Sequence, residues 1–367
     1  MRNKGIGLLL AAVMVISLAA CSGQKAEENA SSEEPKQEAS VEEPKQEASE
    51  DSESLEEAAV EGETMFLTIA NAAQDGDSLD SAQDYFIAEL SKATGGKITG
   101  SVSPNSQLGS HSDYIGSLQM GSIQVAEATA AVLSTVAPKF SIFDLPYVAP
   151  NNAQAVYELL EGEAGEILNQ DLIENANVRV IGWMCRTPRH VYSAKGPIEG
   201  LDDWKNLKIR TMESSAMISA MELLGAKATP IATAERYLAL QTGVVDAAEN
   251  NVAEIYNCKE FEVTSYLSKT GHLCAPNVLI VGEDWFQSLS PEYQELVLKI
   301  GKEAGKVATD IETSKEEEYE SLLVSEGGMM VNEVEDTAPF QEALAPLYEE
   351  YKDVVGEDLL KLFQGGK

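Results

Sequence analysis

Residues 186–251 read RTPRHVYSAKGPIEGLDDWKNLKIRTMESSAMISAMELLGAKATPIATAERYLALQTGVVDAAENN, and this stretch decides the fold. LKIR (207–210) is a short strand that ends on an arginine, and a helix over 214–224 follows at once. In open α/β sheets ligands sit beyond the carboxyl ends of strands, where the next helix points its N-terminus at an anion. Arg210 is placed at such a mouth. Upstream, the apolar run 178–183 has the character of a buried strand and delivers Arg186 and Arg189 to a loop. Downstream come a helix from Tyr237, a stop at Gly243 and a short strand ending in Glu249 and Asn250. Three polar strand ends within one α/β unit make a site for a small carboxylate.

The segments GLDDWKNLKIR (200–210) and YLALQTGVVD (237–246), with Arg189 and Gly196-Pro197-Ile198 ahead and Glu249-Asn250 behind, resemble one family. It is the dicarboxylate-receptor type of solute-binding proteins of TRAP (tripartite ATP-independent periplasmic) transporters, and the likeness runs over roughly residues 64 to 365. The resemblance implies an α/β, two-lobed, periplasmic-binding-protein-like clamshell with a long helix spanning both lobes. It implies an extracytoplasmic receptor that takes a small organic acid between the lobes and delivers it to a membrane permease, without catalysis or cofactor. By the same match Arg210 meets the carboxylate, with Arg189 as second anchor, chosen over the alternative Arg186 by its spacing to Pro197. Asn250 follows from DAAEN, where Ala247 stands at the family's glycine. Glu249 either joins the site or holds an arginine or a backbone amide. Asn71, His111 and Thr129 face the ligand from the first lobe. Asn71, Asn250 and Asn251 suit a hydroxyl-rich ligand, which favours a sugar acid. Thr129, where sialic-acid receptors can carry a charge, argues against that substrate. The competing readings are a surface lipoprotein hydrolase using the same cleft, or a ligand-binding sensor.

Residues 1–20 read as a secretion signal. Arg2 and Lys4 form a charged start, and the apolar core that follows is too short to span a membrane. Leu18-Ala19-Ala20-Cys21 is a lipobox, so Cys21 is expected to carry the lipid that holds the chain on the membrane. Residues 22–63 contain a tandem near-repeat, SEEPKQEAS (32–40) then VEEPKQEAS (41–49), with fifteen acidic and three basic residues and almost no large apolar ones. Such a composition predicts a disordered acidic tether. A lipid anchor with a long leash fits the outer face of the cell membrane in a Gram-positive-type bacterium. The remaining 64–367 form the two-lobed domain. Lobe 1 covers about 64–185 with a returning segment near 276–300, and lobe 2 covers about 186–275 with C-terminal parts, in a chain expected to be monomeric.

Within lobe 1 the sequence predicts a strand over 64–71, a helix capped by Ser78 and ended by Gly95-Gly96, strands over 97–103 and 123–128, and helices over 110–120 and 152–175. Beyond Asn251 it predicts a helix over 252–261, a strand over 276–282, one long helix over 291–324, a short strand at 329–331 and a closing helical segment over 338–363.

The formal charge of −35 argues against nucleic acid, which demands a basic footprint. His111, His190 and His272 show no metal-ligand spacing. Cys185, Cys258 and Cys274 lack CxxC spacing, so reduced thiols are favoured over a 258–274 bridge. Gly95-Gly96-Lys97 follows a helix and precedes a strand, the reverse of a phosphate loop. A Gly-x-Ser-x-Gly nucleophile elbow is absent from the sequence.

Overall fold

The computed structural model describes residues 63–365. The expected signal segment, Cys21 and all but the last residue of the tether lie outside the described residues. Two sheets organise the rest. The first holds β1 (Met65–Ala70), β2 (Ile98–Ser103), β3 (Val125–Thr129), β4 (Val178–Cys185) and β10 (Pro276–Gly282) in the order β2-β1-β3-β10-β4. β1 runs parallel to β2 and β3, whereas β10 is antiparallel to β3 and β4. The second holds β5 (Arg189–Ser193), β6 (Lys208–Thr211), β7 (Lys227–Pro230), β8 (Ala247–Asn250), β9 (Tyr266–Leu273) and β11 (Met330–Glu333) in the order β11-β9-β5-β8-β6-β7.

β4 shows why a continuous apolar run can be one strand. Its two faces serve two cores: Val178, Val180 and Trp183 join one cluster, and Ile181 and Met184 join the other. A register shift beside Ile181 lets neighbouring apolar residues divide in this way. β5, β7 and β9 were not anticipated. Arg189 opens β5 rather than lying in a loop, because the strand starts directly after Pro188, a position where the missing N–H is tolerated. β9 (YLSKTGHL) hides behind poor alternation and Gly271 at φ +50°. The first long helix is capped by Asp77, whose carboxylate accepts from the Leu79 N–H. Ser78, the expected cap, instead donates its hydroxyl to Glu312 at 2.9 Å. The 152–175 region is two helices, Ala153–Leu160 and Glu163–Ala176, broken at Gly162.

Three passes join the lobes: β4 to β5, β9 to β10, and the helix Pro291–Ser325, which leads from the first sheet to β11. At about 1.5 Å per residue its 35 residues reach roughly 50 Å. Val297, Ile300 and Ala304 pack in the first lobe with Ile181 and Met184. Leu323 packs in the second with Tyr192 and Leu267. The closing segment forms three helices rather than one, Ala338–Ala343, Ala345–Val355 and Glu357–Gly365, with Gly356 turning at φ +88°. They fasten two regions at once: Phe363 meets Phe143 edge-on at 5.4 Å, and Phe340 meets Trp204 at 5.8 Å. Cys185, Cys258 and Cys274 are free thiols. Among the described residues no helix is long and apolar enough to cross a membrane.

Gly301 and Gly305 let this helix lie against the β4 backbone at Gly182. A Cβ at Gly305 would stand 2.5 Å from the Trp183 carbonyl oxygen. In an open helix Gly→Ala gains about 0.5–1 kcal/mol. Gly305→Ala should instead lose about 1–3 kcal/mol through overpacking, read as a lower thermal unfolding midpoint. A raised midpoint would show that the contact yields.

Candidate functional site

β6 carries Arg210 as its penultimate residue, one step before the chain turns into the helix Ser215–Leu223. Ser214 caps that helix by accepting from Met217 N–H, and its hydroxyl donates to the buried Asp144 at 2.6 Å. Arg210 is 1% exposed. Its Nε donates to the Ile231 carbonyl at 2.7 Å, while its Nη1 has no hydrogen-bond partner among the described residues. No carboxylate among them forms an ion pair with it. Burial works against the charged form, Arg236 and Arg189 add repulsion, and Glu249 and Tyr192 offset part of it. The guanidinium is drawn down to about 10 and so remains charged at neutral pH.

The other buried arginines are matched. Arg189 forks onto Glu249, with Nε at 2.5 Å and Nη2 at 2.8 Å, and adds bonds to the Glu249 carbonyl and, through Nη1, to Asn250 Oδ1 at 2.7 Å. Of its five N–H groups only one, on Nη1, is left over. Burial alone would raise the Glu249 carboxyl, but Arg189 and His272 hold it down at about 2. Arg186 is gripped by Asp77 at 3.2 and 3.3 Å and by Glu312 at 3.3 Å, with Glu254 at 3.7 Å. Arg236 takes Glu260 at 2.5 Å and Glu254 at 2.9 Å.

Opposite stands a pair on the first lobe. His111 Nε2 lies 2.9 Å from Glu127 Oε2, and Glu127 also accepts from Asn277 and the Ala72 N–H. Burial disfavours the imidazolium, yet Glu127 outweighs it and raises His111; burial likewise opposes ionised Glu127, and His111 with Asn277 lowers it. Both shifts favour an imidazolium beside a carboxylate, two charges that offset each other. His111 Nδ1 makes no hydrogen bond among the described residues.

Between these walls lies a cavity of about 210 Å³, lined by Ala72, His111 and Thr129 from one lobe and Arg210, Met212 and Thr233 from the other. A recess of about 30 Å³ adjoins it and shares His111, Thr129, Met212 and Thr233. It is lined further by Arg186, Arg189, Arg236, Asn250 and Glu127. Of the residues singled out by sequence, Arg210, Arg189, Asn250, His111 and Thr129 therefore face one cleft. Thr129 also caps the short helix that follows, accepting from Val132 N–H at 3.3 Å. Glu249 stands behind Arg189 and outside the lining. Asn71 is fully buried and turned away, donating to Asp80 at 3.2 Å and accepting from the Ala73 N–H at 2.9 Å. It shapes the loop, and its neighbour Ala72 reaches the cleft. Sequence reasoning missed Glu127, whose signal was an acidic residue inside an apolar strand. It also missed the wall over 231–235, a loop with no periodicity to read. Among the described residues no group of three or more His, Cys, Asp or Glu could hold a metal ion.

The cleft also has counterparts. Residues 69–353 match the model of the family described as bacterial extracellular solute-binding protein, family 7. A solute-binding protein of Roseobacter denitrificans is 31% identical over 307 residues, covering 82% of this chain and 93% of its own. The sialic acid-binding periplasmic protein of Vibrio cholerae is 28% identical over 271 residues, covering 74% of this chain and 83% of that one. Among solved structures, a TRAP solute-binding protein from a Sulfitobacter species with bound β-D-galacturonate superposes with a TM-score of 0.78 at 31% identity. It covers 82% of this chain and 100% of its own. A second, from Roseobacter denitrificans with bound β-D-glucuronate, gives 0.78 at 29% identity, over 83% and 100%. The two-lobed α/β frame and the long helix belong to the same architecture, and these relatives are receptors rather than enzymes. The chain belongs to bacterial extracellular solute-binding protein family 7, the receptor subunits of TRAP transporters.

Proposed function

We propose that this receptor binds a sugar acid, with the ligand carboxylate on Arg210, and passes it to its TRAP permease. The observation that carries the reading is the buried guanidinium with an open Nη1, in a cavity of about 210 Å³. A charge removed from water and left unmatched is costly, and a carboxylate supplies both the counter-charge and the acceptor. Hydroxyl groups find partners in His111 Nδ1, Thr129, Thr233 and Asn250, which surround the same space. Relatives with bound galacturonate and glucuronate support the ligand class. In this reading Arg189 is held rigid by Glu249 and offers its last N–H, while Asn250 sets its angle.

The finer placement is also a proposal. The lipobox ending at Cys21 and the acidic segment 22–63 support a lipid-anchored monomer on the outer face of a Gram-positive-type membrane. Cys21→Ser should abolish labelling by a radioactive fatty acid in cells and release the chain to the medium. Undiminished labelling would rule out Cys21 as the lipid attachment site.

Arg210 itself gives the sharper test. Truncating one partner of a buried charge pair costs about 2–5 kcal/mol, or roughly thirty- to several-thousand-fold in affinity. Arg210→Met should lose binding of D-galacturonate or D-glucuronate by that factor in calorimetric titration. The ligand-free thermal midpoint should hold or rise, since an unmatched charge has gone. Arg210→Lys should recover only part, because an ammonium cannot present the planar fork. Parental affinity in Arg210→Lys would contradict the bidentate contact and make Arg189 the anchor.

A further inference from the structure

Resting on the carboxylate-receptor reading above, we infer that the cleft admits ligands with a single carboxylate and rejects their dicarboxylate counterparts. The observation is a charge count around the cavity wall. Four arginines and His111 line the two adjoining cavities, and all of them but one already have carboxylate partners among the described residues. Arg189 has Glu249, Arg186 has Asp77 and Glu312, Arg236 has Glu254 and Glu260, and His111 has Glu127. Arg210 is the remaining one. Once a first carboxylate occupies it, no unmatched arginine is left on the lining of these two cavities; the exposed Lys259 lines a third, which shares Ala72, Ser106, Thr233 and Ala234 with the first.

The remaining surface is hostile to a second negative group. The solvent-exposed Glu213 and Glu235 line the main cavity from the second lobe, and the buried Glu127 and Glu254 line the recess. Ser112 of the first lobe donates to Glu213 at 3.3 Å, which holds that carboxylate at the junction of the lobes. His111 Nδ1 and the last N–H of Arg189 are donors, but each belongs to a pair whose charge is already cancelled. Such donors serve a hydroxyl well. A carboxylate placed against them would add one uncompensated negative charge in a space where water screens it weakly, and like charges across an interface are strongly disfavoured.

The specificity therefore lies in the partners behind the wall. Glu249 and Glu127 hold the second-lobe arginine and the first-lobe histidine as neutral hydrogen-bonding units, which otherwise would form a second anion site. An aldonate or uronate presents one carboxylate and a row of hydroxyls. An aldarate replaces the terminal hydroxymethyl group of the matching aldonate by a second carboxylate and changes little else.

Calorimetric titration of the mature chain tests this with matched pairs: D-gluconate against D-glucarate and D-galactonate against galactarate, with D-galacturonate, succinate and L-malate alongside. In each pair that contains a ligand the monoacid should bind about a hundredfold more tightly, and a preference of tenfold or more in all of them supports the inference. A gap under tenfold in any such pair, a tighter aldarate, or binding of succinate or malate alone would overturn it while leaving a carboxylate receptor in place. Failure of every acid to bind would overturn the carboxylate reading itself, and the inference with it.

Discussion

One guanidinium sets the electrostatics of the cleft. A charged group buried in protein costs several kcal/mol unless something compensates it, and Arg210 is 1% exposed with no carboxylate partner among the described residues. The surroundings make this more pointed, because the chain carries a formal charge of −35 and has acidic groups to spare. They were used on the other arginines. Such a pattern stores a demand for an anion inside an otherwise balanced interior, and a ligand carboxylate that answers it gains more there than it would at an exposed arginine.

The matched arginines do different physical work. Arg186 lies in the link between β4 and β5 and is held by Asp77 ahead of the first helix and by Glu312 on the long helix, with Glu254 of the second lobe close by. Asn257 of the second lobe adds a bond to Asp77 at 3.0 Å. One guanidinium thus ties both lobes to the helix that crosses them. The glycines at 182, 301 and 305 bring that helix to the sheet backbone, and the aromatic contacts of Phe340 and Phe363 close the far side. Lobes linked by three chain passes and a charge network near the cleft can move as units, which is the arrangement from which hinge closure draws.

Much of this was legible in the sequence, and the failures have physical causes. LKIR followed by a helix placed Arg210 correctly, because strand and helix periodicities and the strand-end rule are local signals. The long helix was also readable, since apolar residues recur at roughly helical spacing from Leu296 to Ile311 and return at Leu322. Arg189 was found as a residue but placed in a loop, because Pro188 masks the start of β5. The role of Asn71 depended on where Asp80 and Ala73 would fall after folding, which no local pattern encodes. Glu127 is the clearest omission. Its partners, His111 and Asn277, lie 16 and 150 residues away: the pairing of β3 with β10 brings Asn277 to it, and the packing of the helix His111–Gln119 against β3 brings His111. The same holds for Arg186, whose partners span residues 77 to 312.

The central claim is that a negative charge on the ligand is what Arg210 requires. The most direct measurement compares D-galacturonate with its neutral methyl ester by calorimetric titration at fixed pH and salt. The ester keeps the ring and hydroxyls, removes the charge and adds one methyl group. The account predicts at least a thirtyfold loss of affinity for the ester, in line with about 2–5 kcal/mol for a buried charge pair left without one partner. An ester that bound as tightly as the acid would contradict it.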